Sequence, residues 1–392
     1  MTGNMPVSKR VGSVDALRGF AVMGIMLLHC IEHFNLYVFP EQTCGFLKFT
    51  DAAIWQTMFF TLGGKAYAIF ALLFGFSFYI QDNNQRLKGK DFRGRFAWRL
   101  ILLFLFGNLN AMFFTGEVLV LFSIVGFTLI PVARLKDKTV LIIAIILLLQ
   151  PLEWYSFFAS LFNPEFVKPI NLSHKYFDIT AVAQQGKSFF ELVKANLWEG
   201  QIASLTWAWE NGRFFQSAGL FMLGMLAGRK GIFKYTEGNK TLWIKLAGIF
   251  TACFFIFQGL LSVSAEFISN PYAMSSLDLI LRSLANFSFM VMLCCAFMLL
   301  YYGSRFGGKA LSKLEVYGKM SLSNYIGQSV MGSFIFYGWG LGMYKYLGIT
   351  FSLLVGIGLF ILQYLFSKYW MSRHNHGPLE FIWKKLTWIG SK

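Results

Sequence analysis

The sequence predicts an all-α integral membrane protein, with about ten transmembrane helices in one bundle and both termini cytoplasmic. Three observations carry that reading. Mean hydropathy is +0.54 and only 14% of the 392 residues are charged, against about 25% in an ordinary soluble domain. Apolar runs of about 20 residues, the length that crosses a bilayer, recur along the whole chain. Lys and Arg gather in alternate connections, as the positive-inside rule requires. Strand-length alternation is absent, so a transmembrane barrel gains no support.

Taken in order, the spans fall near 15–35, 55–80, 96–115, 117–134, 138–160, 213–229, 241–263, 277–302, 320–343 and 347–371. Lys9 and Arg10 ahead of the first run give it the look of a signal peptide. Asp15 and Arg18 interrupt that run, however, and no small-residue cleavage pattern follows, so a retained span is expected. The sixth span is short, and its Gly219, Gly224 and Gly228 predict close packing against a neighbour. Residues 161–212 form a long outer segment between spans five and six, too aromatic for disorder, and its 176–200 portion reads as an amphipathic surface helix. The last stretch, 375–392, is too polar to span and reads as a cytoplasmic helix. Pro378 sits in its first turn, and Phe381, Trp383 and Trp388 turn towards the membrane or the bundle. No internal repeat is evident, and 1–392 is expected to form a single polytopic membrane domain.

The net charge of +16 is explained by topology. With a cytoplasmic N-terminus, the inner segments are the N-terminal tail, 81–99, 134–138, 229–245, 303–319 and the C-terminal tail. They hold most of the 35 Lys and Arg. The excess is therefore an orientation signal, and no nucleic-acid partner is expected. Cys30, Cys44, Cys253, Cys294 and Cys295 are odd in number, and all but Cys44 lie in apolar runs. Neither a disulfide framework nor a metal spacing emerges.

Arg18 and His29 stand out because an apolar helix has no structural need for either. Eleven residues bring them to one face, about 16 Å apart along the axis. Arg18 reads either as a snorkelling arginine paired with Asp15 or as a bidentate anion clamp. His29 reads either as a group bonded to a neighbouring helix or as a general base. With Glu32 and His33 it spells His29-Cys30-Ile31-Glu32-His33, an H-x-x-E-H pattern. No third ligand follows at a suitable spacing, so no metal is expected, and Glu32 or His33 orients His29 or faces outer water.

Lys65, Glu117, Arg282 and Asn286 all fall in the outer half of their spans. They line one polar cavity with His29, or Lys65 and Glu117 simply form an ion pair joining two helices. At the inner face Arg86, Lys88, Lys90, Arg93, Arg95 and Arg99 suit an anionic cytosolic substrate, lipid headgroups or plain topology. In the outer segment Glu199, Trp207, Trp209, Glu210 and Arg213 suit sugar or polyol recognition, although interfacial anchoring explains the tryptophans equally well.

Several blocks carry a family resemblance: 14–25 (VDALRGFAVMGI), 69–76 (IFALLFGF), 116–119 (GEVL), 223–229 (LGMLAGR), 318–325 (GKMSLSNY) and 377–380 (GPLE). They resemble, in order and over almost the whole chain, the YeiB-like bacterial membrane proteins, domain of unknown function 418. That group is similar in turn to transmembrane acyltransferases, including acyltransferase family three and heparan glucosaminide acetyltransferase. The Arg, ten residues and His of family three reappear as Arg18 and His29. YeiB-like proteins often have Asn at the place of His29, and Asp more often than Glu117.

The resemblance implies a multi-pass protein of the bacterial cytoplasmic (inner) membrane that transfers an acyl group from cytosolic acyl-CoA, with acetyl-CoA as the expected donor. The donor would dock near Arg18, Arg93, Arg95 and Arg99. His29, with Glu32 and His33, would activate an acceptor on the outer side, whether sugar, lipid or small molecule. Lys65, Glu117, Arg282, Asn286, Trp207 and Glu210 would bind that acceptor. The bilayer is the other partner, and a homodimer remains open. The rival expectation is a transporter of a small anionic or amphiphilic solute, with His29 as a proton relay. A third is a non-catalytic envelope protein in which the polar residues are packing pairs.

Overall fold

The first span appears as α1 (Gly12–Ile31). The span expected at 55–80 is instead two helices, α2 (Gly45–Leu62) and α3 (Lys65–Arg86). They break at Gly63-Gly64, where Gly64 has φ +71°, a left-handed conformation that costs a side-chain-bearing residue about 1–2 kcal/mol. This computed structural model describes residues 10–40, 42, 44–163, 165–169 and 171–390. Lys9, part of the basic start noted above, lies outside them.

After α4 (Arg93–Ala111), the span expected at 117–134 is made of two short pieces, α5 (Leu119–Gly126) and α6 (Leu129–Val132). Next come α7 (Asp137–Leu148) and α8 (Pro151–Phe162), bent by 44°. Pro151 disfavours the α conformation at the residue before it, and Gln150 takes φ +57°. The outer segment is helical: α9 (His174–Gln185), α10 (Phe189–Ala195), a π-helical turn at Asn196–Gly200, and α11 (Gln201–Glu210). The single amphipathic helix expected at 176–200 is thus broken at Gly186–Ser188, where Ser188 caps α10.

The rest comprises α12 (Arg213–Lys230), α13 (Glu237–Phe267), α14 (Pro271–Gly303), α15 (Arg305–Leu311), α16 (Leu314–Lys319), α17 (Ser321–Phe336), α18 (Ile349–Met371) and α19 (Pro378–Thr387). No strand occurs among the described residues. By length and composition, five stretches can cross a membrane, or six when α7 and α8 count as one. The shortfall against ten has physical causes. Arginines and asparagines dilute α4, α12 carries Arg213, Arg229 and Lys230, and α17 has 16 residues. On the outside of the bundle α13 packs against α14 and leaves Ile249, Phe255 and Ile256 exposed, a face suited to lipid rather than water.

Two close helix pairs hold the centre. A Cβ at Gly224 of α12 would lie 1.8 Å from the Leu72 carbonyl oxygen of α3, and one at Gly75 would lie 1.9 Å from that of Phe221. Only glycine admits such an approach, and the packing expected of Gly219, Gly224 and Gly228 is realised. The second pair is α1 against α16, where Gly318 meets the Asp15 carbonyl in the same way.

The bundle has two distinct ends. One carries α9–α11 and the C-terminus of α1. The other carries the start of α1 and α19. There Glu380 accepts hydrogen bonds from Leu322 N (2.7 Å), Ser323 N (3.1 Å) and Ser323 Oγ (2.5 Å), capping α17 from another helix. Pro378 occupies the first turn of α19, as expected.

Candidate functional site

Past Ile31 the chain turns sharply, and Leu36 and Tyr37 both take positive φ (57° and 53°). Strain of this kind in non-glycine residues costs about 1–3 kcal/mol each and gathers at functional sites. Its effect here is to fold Tyr37 back, so that its hydroxyl donates to Glu32 Oε1 at 3.0 Å. The same oxygen lies 3.0 Å from His33 Nε2. The His29 ring is 5.4 Å from that of His33 and meets Phe114 edge-on at 4.5 Å. Among the described residues His29 Nδ1 is buried with no protein partner, an unusual condition for a buried nitrogen.

These groups line a cavity of about 730 Å³, within the range of small-molecule sites. It reaches the surface beside the exposed His174 and Asp178 of α9. Of the residues singled out from sequence, His29, Glu32, His33, Lys65, Glu117, Trp207 and Asn286 all line it. The Lys65–Glu117 ion pair does not form. The Glu117 carboxylate accepts hydrogen bonds from Asn110 Nδ2 and Leu119 N at the start of α5, while Lys65 Nζ donates to the Phe59 carbonyl at 3.4 Å.

A second cavity of about 530 Å³ shares His174, Trp207, Arg213 and Asn286 with the first and contains Arg282 and Glu210. Arg282 pairs there with Asp278 at 2.6 Å. Glu210 has a structural task, accepting from Leu172 N (2.5 Å) and Ser173 Oγ (2.7 Å) to hold the chain entering α9. The roof over the main cavity is tied down by Gln184 Nε2 to Thr115 Oγ1 (2.5 Å), Thr115 Oγ1 to Asn196 Oδ1 (3.0 Å) and Ser204 Oγ to the Glu117 carbonyl (3.0 Å).

Sequence reasoning gave too little weight to Arg213 and missed Tyr67, His174, Asp178, Tyr325 and Tyr337, all on the cavity wall. Arg213 left a signal: it is a cation directly after Gly212 at the head of a short, glycine-rich span. The tyrosines left none, because core and cavity tyrosines look alike in sequence.

At the opposite end the expected donor-binding arginines already have partners. Arg18 donates to Asp15 Oδ1 (3.1 Å) and Ser77 Oγ (2.8 Å) and does not line the main cavity. Arg93 binds Asp91 at 2.8 Å. Arg95 donates to the carbonyls of Thr387 (3.2 Å) and Ile389 (2.9 Å). Arg99 stacks on Trp383 at 3.4 Å and donates to Thr387 Oγ1 at 3.3 Å. Among the described residues, no three His, Cys, Asp or Glu side chains gather as metal ligands would.

Residues 227–390 match the family model described as "Protein of unknown function (DUF418)". The Escherichia coli (strain K12) protein YeiB is 26% identical, with 96% of this chain and 95% of YeiB aligned. Over its length the chain is a homologue of YeiB. Bacillus subtilis (strain 168) YxaH is also 26% identical, over 97% of this chain and 95% of YxaH. A Bacillus acidopullulyticus protein encoded in an amylase 3' region is 24% identical at the same coverage. All three are named as uncharacterized proteins. No solved structure matches. The blocks at 318–325 and 377–380, which lie within the DUF418 match, are in physical contact through the Glu380 cap on Leu322 and Ser323.

Proposed function

We propose that this protein is a transmembrane acyltransferase of a bacterial cytoplasmic membrane. In this reading it has about ten spans, with its termini and α19 in the cytoplasm and the α9–α11 roof outside. The observation that carries the proposal is His29, an imidazole with an unsatisfied buried nitrogen inside a surface-reaching cavity, beside the His33–Glu32 pair. An acceptor hydroxyl or amine entering under the roof transfers its proton to His29 and attacks the thioester carbonyl of an acyl-CoA, acetyl-CoA in the first instance. The C–S bond breaks, the acyl group stays on the acceptor, and the coenzyme A thiolate takes up a proton. General-base help of this kind contributes about 10²–10⁴-fold.

The donor's phosphates belong at the cytoplasmic end, where Arg18 lies about three helical turns from His29. Binding there requires Arg18 to exchange its contacts with Asp15 and Ser77 for the donor, because Arg95 and Arg99 are engaged by α19. A second reading, transport of a small anionic solute, is favoured by one specific observation. Among the described residues Lys65 and Arg213 line the cavity without an acid in contact, while Arg18 is outside it. Purified protein in proteoliposomes separates the two. Release of coenzyme A from acetyl-CoA that falls in both His29→Ala and Arg18→Ala supports acyl transfer. Equal rates in all three proteins remove both residues from the mechanism, and solute uptake without coenzyme A release supports transport.

A further inference from the structure

Helices α3 and α12 both begin at the cavity, each with a glycine of positive φ as its N-cap (Gly64, +71°; Gly212, +63°) and a cation as its first residue (Lys65, Arg213). Neither start has a side-chain cap. The Tyr67 and Ser217 hydroxyls meet near the two starts, and Gly228 faces Tyr79 further along, so the helices run parallel and begin side by side. Their first-turn N–H groups and dipoles therefore point at one region, the arrangement that binds anions.

The side chains converge on the same place. Lys65 is 93% buried, its 7% exposure leaving almost no contact with water, and its ammonium faces the Phe60 and Phe289 rings at 5.9 and 5.5 Å. The Arg213 guanidinium lies between Tyr67 (4.9 Å) and Trp207 (5.6 Å), and its one hydrogen bond to a side chain goes to Gln216 (2.7 Å). A Cβ placed on Gly64 would stand 3.4 Å from both Arg213 Nη2 and Asn286 Nδ2, so donors from α12 and α14 meet beside the start of α3. Among the described residues, neither cation has an acidic partner. Glu32 is committed to His33 and Tyr37, Glu117 to Asn110 and the head of α5, and Asp178 is exposed at the rim. Two like charges held together in a largely apolar wall favour a counter-charge. Among the described residues no carboxylate is in contact with either, and Glu32, which acts on Arg213 from beyond contact distance, is shared with His33 and Tyr37.

We propose that the substrate of this cavity carries an anionic group, a carboxylate or phosphate, which docks between Lys65 and Arg213 where α3 and α12 begin. Calling the ligand a substrate rests on the acyl-transfer reading; the anion site itself does not. The free part of such a molecule then extends past Tyr67 and Trp207 towards His29 and His33.

The test is calorimetric titration of the full-length protein in nanodiscs with sn-glycerol 3-phosphate, succinate and glycerol, in phosphatidylcholine alone and with phosphatidylglycerol added. Saturable binding of either anion but not glycerol is expected, weakened at least tenfold in Lys65→Met with Arg213→Gln. Anions that bind only in phosphatidylcholine point to a lipid headgroup as the natural occupant, and anions that bind equally in both point to a soluble one. Equal binding of glycerol and its phosphate, absence of anion binding in both lipids, or unchanged affinity in the double variant overturns the proposal. Should that variant not fold, the wild type decides: inorganic phosphate must raise its melting temperature more than equal ionic strength of chloride does. His29→Ala is expected to keep anion binding while losing transfer. Transfer to a neutral acceptor in preference to an anionic one would overturn this inference and leave acyl transfer standing.

Discussion

The two ends of the bundle treat their cations in opposite ways. At the α19 end Arg18 meets Asp15 and Ser77, Arg134 meets Asp82 at 2.7 Å, Arg229 meets Asp137 at 2.9 Å, and Arg95 and Arg99 hold α19. At the roofed end Lys65 and Arg213 sit on a cavity wall where, among the described residues, no acid is in contact with them and His29 has a nitrogen without a partner. Polar groups that are internally satisfied fix architecture; those left unsatisfied in a cavity are available to a ligand. The contrast falls between the two sets the sequence offered: the expected donor residues Arg18, Arg95 and Arg99 have protein partners, while Lys65 of the expected acceptor set has no acid in contact among the described residues.

The largest expected effect is on the roofed side. His29→Ala should lower coenzyme A release in proteoliposomes by roughly 10²–10⁴-fold. The protein should still elute as a folded species in detergent, because the imidazole has no hydrogen bond through Nδ1 to lose. A variant that aggregates instead would move His29 to the architectural group and erase the contrast.

The counterpart at the other end is Asp15→Asn. Asp15 is 2% exposed and holds both Arg18 (3.1 Å) and Arg10 (2.5 Å). Removing its charge leaves Arg18 without its acid, which costs about 3–5 kcal/mol for a buried pair. Thermal unfolding in detergent should show a large fall in midpoint. An unchanged midpoint would mean that Arg18 is as uncommitted as Lys65, and would reopen it as a ready-made donor site.

Glu380→Gln is expected to act more weakly. It keeps the shape but removes the charge that caps α17, at about 0.5–2 kcal/mol. Limited proteolysis should then cut α19 away faster than in the wild type, with Trp98, Arg95 and Arg99 losing their C-terminal contacts. Cleavage at the wild-type rate would show that the contacts from Arg95, Trp98 and Arg99 of α4 secure the helix without the cap.

Much of this was legible in the sequence, for physical reasons that also set its limit. Apolar runs marked helical stretches, five or six of them long and apolar enough to cross a membrane, Pro378 marked the start of α19, and the glycines of 219–228 marked the packed face. Charge in an apolar run was a sound guide to the cavity, because burying His29, Lys65 and Glu117 demands a reason. Partners were not legible. Trp383 Nε1 reaches the Arg99 carbonyl across 284 residues, and Glu380 reaches Leu322 across 58. Nothing local announces either contact. The break at Gly63-Gly64 did leave a local signal, a glycine pair followed by Lys65, but the long apolar runs around it let average hydropathy read straight through the turn.

The smallest expected effect tests whether a partnered charge at the α19 end titrates as one. Asp91, in the connection between α3 and α4, is held at about 2 rather than 3.8, chiefly by hydrogen bonds from Arg93, with Arg134 adding a contact at 3.2 Å. Its pKa is lower in the folded protein than in the unfolded chain. Its stabilising contribution is therefore complete above the ordinary value of 3.8 and fades as pH falls towards 2. The pair is exposed, so the fold should scarcely notice its loss. Arg93→Ala should raise the Asp91 pKa part of the way to 3.8, followed through the carboxyl carbon signal of labelled aspartate, because the backbone N–H of residue 93 still donates to Asp91 Oδ1 and Arg134 stays close. A full return to 3.8 would show that neither the backbone N–H of residue 93 nor Arg134 holds the carboxylate. The same titration leaves Lys65 and Arg213 untouched, since a protein acid at one end cannot stand in for the counter-charge missing at the other.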